Sequence, residues 1–193
     1  MRTTTSSEIP RLAPPGAGLP TIERLIGKGM LTVRRWTGNP AAFTAQFHRE
    51  RRAIADLYTG RDDDVLRREV LIPRLRGLED SSRFWSVYMT LDHLRIVNTA
   101  IAGVIGALVQ GRVPPGRSST AAVKPGGDIG PEVIAPYEKS CEDLLAQVAA
   151  HPILKTKARY AHPWFGPLDA AGWHAMSAMH MGIHRAQIER ILR

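Results

Sequence analysis

The chain has 193 residues, a single cysteine and a formal net charge of +8, and 44% of it is apolar. This length suits one domain with an appended arm, and the apolar fraction excludes a mainly disordered chain. One cysteine, Cys141, excludes an internal disulfide and suits a reducing compartment, so a cytoplasmic location is expected.

Residues 1–20 (MRTTTSSEIPRLAPPGAGLP) are rich in Pro, Gly, Ser and Thr and read as a flexible arm. They lack the apolar run of a secretory signal. Residues 21–193 then form one domain. From Thr21 to Trp36, Ile22, Leu25, Ile26, Met30 and Val33 keep a helical spacing, which Gly27 and Gly29 weaken. A break follows at Gly38-Asn39-Pro40, with Asn39 as an N-cap and Pro40 in the first helical position. Pro40 to Tyr58 reads as an amphipathic helix with Phe43, Phe47, Ile54, Leu57 and Tyr58 on one stripe, ended at Gly60. Asp62 to Leu78 reads as a shorter helical piece broken at Pro73.

Asp80-Ser81-Ser82 can cap a helix from about Arg83 to Val109. Its most apolar part, Ile96 to Val109, is too short to span a bilayer, so the helix is expected in a core and no membrane partner is expected. Val113 to Gly130 is a loop with three prolines, long enough to be a crossover or a lid. A third helix is predicted from Pro131 to Ala150. A connection from His151 to Pro167 holds His162-Pro163-Trp164-Phe165-Gly166. The last helix starts at Asp169, a further N-cap. No run shows strand alternation and no internal repeat is present, so four main helices predict an all-α bundle.

The bases lie in short clusters (Arg34-Arg35, Arg49-Arg51-Arg52, Arg67-Arg68, Arg74-Arg76) with Glu50, Asp62 to Asp64 and Glu69 among them. No aromatic-plus-basic strip of the kind that stacks bases is present. A solvated arginine-rich surface is the expected reading, and nucleic acid is not an expected partner.

The last helix carries His180-Met181-Gly182-Ile183-His184. Histidines at i and i+4 share a helix face and can share a metal ion. No Glu follows the first, so this is not the protease His-Glu-x-x-His. Trp173, Ser177 and Gln187 lie on or beside the same stripe. His93 is the third candidate, about 12 residues, or ~18 Å, past the expected start of its helix at the Asp80-Ser81-Ser82 cap. The His180/His184 pair lies at a similar depth, so the three can meet at one level of a bundle. His174 lies off that stripe and is expected at the surface or behind the ligands. His48 reads as solvated, and Cys141 as a small core residue without a base beside it.

The segments SVYMTLDHL and HPWFGPLDAAGWHAMSAMHMGIHRAQIERIL resemble the DinB superfamily of metal-binding four-helix bundles. The subgroup with H-P-x-F-G-x-L before a W…H-x3-H-x2-Q helix is the most similar. The likeness spans about residues 40–193 and leaves the first forty outside it. It implies an up-down-down-up bundle with a long crossover between helices two and three, for which Val113 to Gly130 has the length. It implies metal ligation by His93, His180 and His184, and a homodimer.

Closed structural zinc sites use four protein ligands, so three leave positions open for chemistry or ligand binding. Zinc or nickel is expected, with iron or manganese also compatible. The resemblance implies two activities on a small-molecule substrate: transfer or isomerisation with a low-molecular-weight thiol, and metal-assisted hydrolysis. Two alternatives stand beside an enzyme. One is a non-enzymatic bundle whose metal serves stability or dimerisation; the weaker is a DNA-associated protein. His162 and Trp164 are expected in a packed turn rather than at the site entrance.

Overall fold

The computed structural model describes residues 10–193. Helix α1 covers Thr21–Thr37 and α2 Pro40–Tyr58. The predicted cap of α2 is present: the Asn39 side chain accepts from the Ala42 N–H at 2.8 Å, and Pro40 opens the helix. Gly60 turns the chain away beyond it with φ +73°. The next helix, α3, is only Asp63–Arg67. It stops well before Pro73 because the chain extends at Arg68 into strand β1, Val70–Leu71.

Strand β1 pairs antiparallel with β2, Phe84–Trp85, in the register Val70↔Trp85 and Leu71↔Phe84. This corrects the expected helix start at Arg83. Asp80–Ser82 is a separate 3₁₀ turn, Arg83 Nε donates to the Ile72 carbonyl, and α4 begins only at Val87. Its cap is Ser86, whose Oγ accepts from the Met89 N–H at 3.1 Å. Helix α4 runs to Val109. After the long loop, Pro131–Val133 forms a 3₁₀ turn and α5 covers Ile134–Ala149. Strands β3 (Tyr160–His162) and β4 (Gly166–Leu168) form a second hairpin. Helix α6, Ala170–Ile191, is capped as predicted by Asp169, which accepts from the Gly172 N–H at 2.9 Å.

The fold is a mostly helical bundle of α2, α4, α5 and α6, with two small hairpins that sequence alternation does not reveal at two or three residues per strand. Helix α6 packs on both α2 and α4, and α4 packs on α5. Phe47, Ile54, Leu91, Leu94, Ile105, Leu144, Met181 and Ile188 are fully buried between them. Helix α4 is long and apolar enough by composition to cross a membrane. Here it is the core helix of the bundle, carrying Thr90, Asp92, His93 and Asn98 into the interior with its apolar side chains.

Helix α1 lies outside the bundle, against α6. Leu31 is its one buried residue, and Arg35 pairs with Asp169 at 2.8 Å. Of the expected arm, residues 1–9 lie outside the described residues. Within 10–20, the Ala13 N–H donates to Asp80 and the Gly18 N–H to Glu79.

Candidate metal centre

Helices α4 and α6 bring His93, His180 and His184 together, with ligand atoms within 4.8 Å of one another. Because α4 begins at Val87, His93 lies on its second turn, well short of the depth expected from a start at Arg83. The packing of α4 on α6 joins the three, rather than equal distance from helix starts. His180 Nε2 stands 3.2 Å from His93 Nε2 and 3.1 Å from His184 Nε2. Nitrogens held on one face of an ion at ~2.0–2.1 Å would stand ~3.0–3.4 Å apart, so these spacings fit a shared ion.

Hydrogen bonds fix two of the tautomers. His93 Nδ1 lies 2.6 Å from the Val123 carbonyl, which can only accept, so Nδ1 carries the proton and Nε2 a lone pair. His184 Nδ1 lies 2.7 Å from Gln187 Oε1. Gln187 Nε2 donates to the Ser82 carbonyl at 2.8 Å, which orients the amide and makes His184 Nδ1 the donor. Two Nε2 lone pairs therefore point at His180 Nε2, which can donate a proton to only one of them. His180 Nδ1 is buried with no hydrogen-bond partner. A buried polar group left this way is costly. A cation among the three Nε2 atoms satisfies both lone pairs, and outer partners of this kind are what metal-bound histidines use.

Burial drives all three imidazoles toward the neutral, ligating form. It lowers His93 to about 4, against the opposing bond to Val123. Burial also lowers His180 and His184 well below the usual histidine range, helped in each by the neighbouring histidines. His93 and His184 are 6% and 3% exposed, and His180 is half-buried. Trp85 forms one wall, stacked on His184 at 12° and 6.3 Å and tilted against His93 at 5.2 Å.

The long loop covers the site. Besides Val123, the Gly126 N–H faces Asp92 Oδ2 at 3.4 Å. Lys124 Nζ lies 5.5 Å over Trp85 and bonds both Glu79 (2.7 Å) and Ser82 Oγ (2.8 Å). Glu79 is 3% exposed and also accepts from Thr120 at 2.8 Å. Burial alone would raise its carboxyl, but Lys124 and Thr120 hold it below the ordinary glutamate value.

The remaining candidates are not part of this group of three. His174 is fully buried, contrary to a surface position. Phe43 packs edge-on against it at 5.9 Å and Thr44 Oγ1 lies 3.2 Å from its Nε2, because α2 covers that side of α6. Trp173 donates to the Tyr160 carbonyl at 3.2 Å, on the β3–β4 side. His162 stacks on Phe165 at 4.6 Å and accepts from the Trp164 N–H at 3.1 Å, forming a packed aromatic turn. His48 is exposed, and Cys141 is buried with its thiol pushed up to about 12, mainly by burial. Sequence reasoning named Gln187 only as a neighbour of the stripe. Its spacing of three from His184 was the available signal for a bond to that ring. Val123 acts through a main-chain carbonyl, for which a sequence carries no signal.

No family model matches the chain, and no curated protein sequence matches it. Among solved structures it is similar to the crystal structure of TT2238, a four-helix bundle protein. The TM-score is 0.56 at 21% sequence identity, covering 78% of this chain and 98% of that one. That likeness is one of fold.

Proposed function

We propose that the chain is a DinB-like protein that binds one divalent ion through His93, His180 and His184 and acts on a small-molecule substrate. The reaction would be either a thiol-dependent transfer or isomerisation, or a hydrolysis. The observation that carries this reading is the pair of proton-fixed imidazoles whose Nε2 lone pairs converge on His180. Zinc or nickel suits three neutral imidazoles best, with iron or manganese as alternatives. When bound, such an ion supplies a Lewis acid with positions left for a thiol or substrate. The chain's own residues would do the positioning. Val123 and Gln187 hold two rings in their ligating tautomers, and Trp85 keeps water off one wall. The half-buried His180 marks the side from which a ligand arrives.

The up-down-down-up order is part of the same proposal. Gln46 bonding Ala178 and Glu50 bonding Arg185 favour α2 parallel to α6. Asn98 beside Cys141 and Gly106 beside Gln147 favour α4 parallel to α5, as a crossover requires. Arg51 on Glu142 and Tyr58 on Glu138 favour α2 antiparallel to α5. A cytoplasmic location follows from the same reading of one reduced, buried cysteine.

Elemental analysis of the purified protein tests the site. About one metal per chain is expected, with loss in His180→Ala. Full retention in that variant would overturn the assignment. A second reading, an ion held only for stability, is favoured by the near-complete burial of His93 and His184. Turnover of electrophilic substrates that requires both a thiol and His180 selects transfer, and thiol-independent hydrolysis selects the hydrolase. Chelation that lowers Tm while no substrate turns over selects the stabilising ion.

A further inference from the structure

Helix α1 faces the wrong way for a helix of an isolated bundle. Its packed side is nearly free of large apolar groups: Leu31 is buried, Gly27 passes Phe165 closely, and Arg35 and Glu23 are tied to Asp169 and Arg74. Its apolar stripe points outward, with Ile22 72% exposed, Leu25 66%, Ile26 57%, Met30 59%, Val33 59% and Trp36 89%. These six side chains present on the order of 800 Å², beyond the ~300–600 Å² of the largest patch on a typical monomer. The same figure is close to the ~800 Å² that each partner contributes to a standard-size interface.

We propose that this stripe is the contact surface for a second copy of the chain, with the two α1 helices crossing antiparallel about a two-fold axis at Gly29. The spacing favours a partner of identical sequence. Ile22, Leu25, Gly29, Val33 and Trp36 follow one another at intervals of three, four, four and three, which read the same in both directions. An antiparallel pair centred on Gly29 sets Ile22 against the partner's Trp36 and Leu25 against the partner's Val33. An isologous contact needs such a self-matching surface. At its centre, a Cβ built on Gly29 would meet nothing within 4 Å, so the helix leaves room for a second backbone to approach. The exposed edge of the stripe is uncharged. Thr32 and Thr37 bond back to their own helix carbonyls, while the exposed Arg24 and Lys28 lie off the stripe, ~140° and ~100° around the helix from Gly29. An interface core is depleted of charge, whereas a helix lying on an anionic membrane sets lysine and arginine beside its apolar face. The surface lies apart from the histidines, so its test does not depend on metal binding.

Sedimentation velocity on the full chain should show a dimer. Leu25→Glu with Val33→Glu should convert it to a monomer with unchanged helical circular dichroism and unchanged metal content. Gly29→Cys should cross-link to itself rapidly on mild oxidation, and Arg24→Cys, exposed but on the far side of α1 from Gly29, should not. A monomeric wild type, a dimer indifferent to the double substitution, or equal cross-linking at both positions would overturn the proposal. So would a monomer that floats with phosphatidylcholine–phosphatidylserine vesicles and loses that behaviour in the double variant. That result would assign the stripe to a membrane surface.

Discussion

Gln187 links two groups that cannot reach each other: its Oε1 accepts from His184 and its Nε2 donates to the Ser82 carbonyl. Replacing it with leucine keeps the volume close to the original and leaves the His184 Nδ1–H without an acceptor. Gln187→Leu should weaken metal binding by ~10–100-fold, the usual effect of losing an outer partner of a ligating histidine. Competition with a chromophoric chelator reads that change, and the helical circular dichroism should stay as it was. The three histidines that the structure brings together were legible in the sequence because side-chain identity and helical spacing are local properties. Their setting was less so. The helix that carries His93 starts four residues later than its sequence pattern indicates, since the Phe84–Trp85 pairing with Val70–Leu71 joins segments more than ten residues apart. His174 shows the same limit. Its angle on the helix was readable, but the burial imposed by α2 was not.

At the scale of elements, the caps of α2 and α6 were readable because Asn39 and Asp169 act on amides three residues ahead. Asp169 has a second role that the sequence conceals. The same Oδ1 that caps α6 also receives Arg35 from α1. Asp169→Ala should lower stability by ~1–3 kcal/mol, combining a lost cap with a part-buried ion pair left without its acid. Asp169→Asn keeps the cap and should cost less. Urea unfolding of both variants, with the difference between them assigned to the Arg35 contact, measures this. Helix α1 was legible as a helix from its periodicity. The direction in which it turns its apolar face was not, since periodicity defines a stripe without saying what covers it.

For the whole molecule, Glu79 is a point of convergence. It receives Gly18 from the N-terminal segment and Thr120 and Lys124 from the long loop. Its folded-state value lies below the ordinary 4.5 because Lys124 and Thr120 outweigh burial. A carboxylate of this kind stabilises the fold above the unfolded value and loses that contribution as pH falls through the folded one. Acid titration of the wild type, followed by urea midpoints, should show stability falling below pH 4.5. In Glu79→Gln the part of that slope due to Glu79 should be absent. The four-helix architecture was legible in the sequence as a whole because its long apolar periods are strong signals. The docking of loop and N-terminal segment on one buried acid was not, because it joins residues 41 to 61 positions apart. The Val123 contact has one more consequence. The loop carbonyl that holds His93 in its ligating tautomer is itself held by that ring. Order in the loop and affinity for an ion then share a single coupling free energy, and whatever factor an ordered loop adds to ion binding, a bound ion returns to the loop.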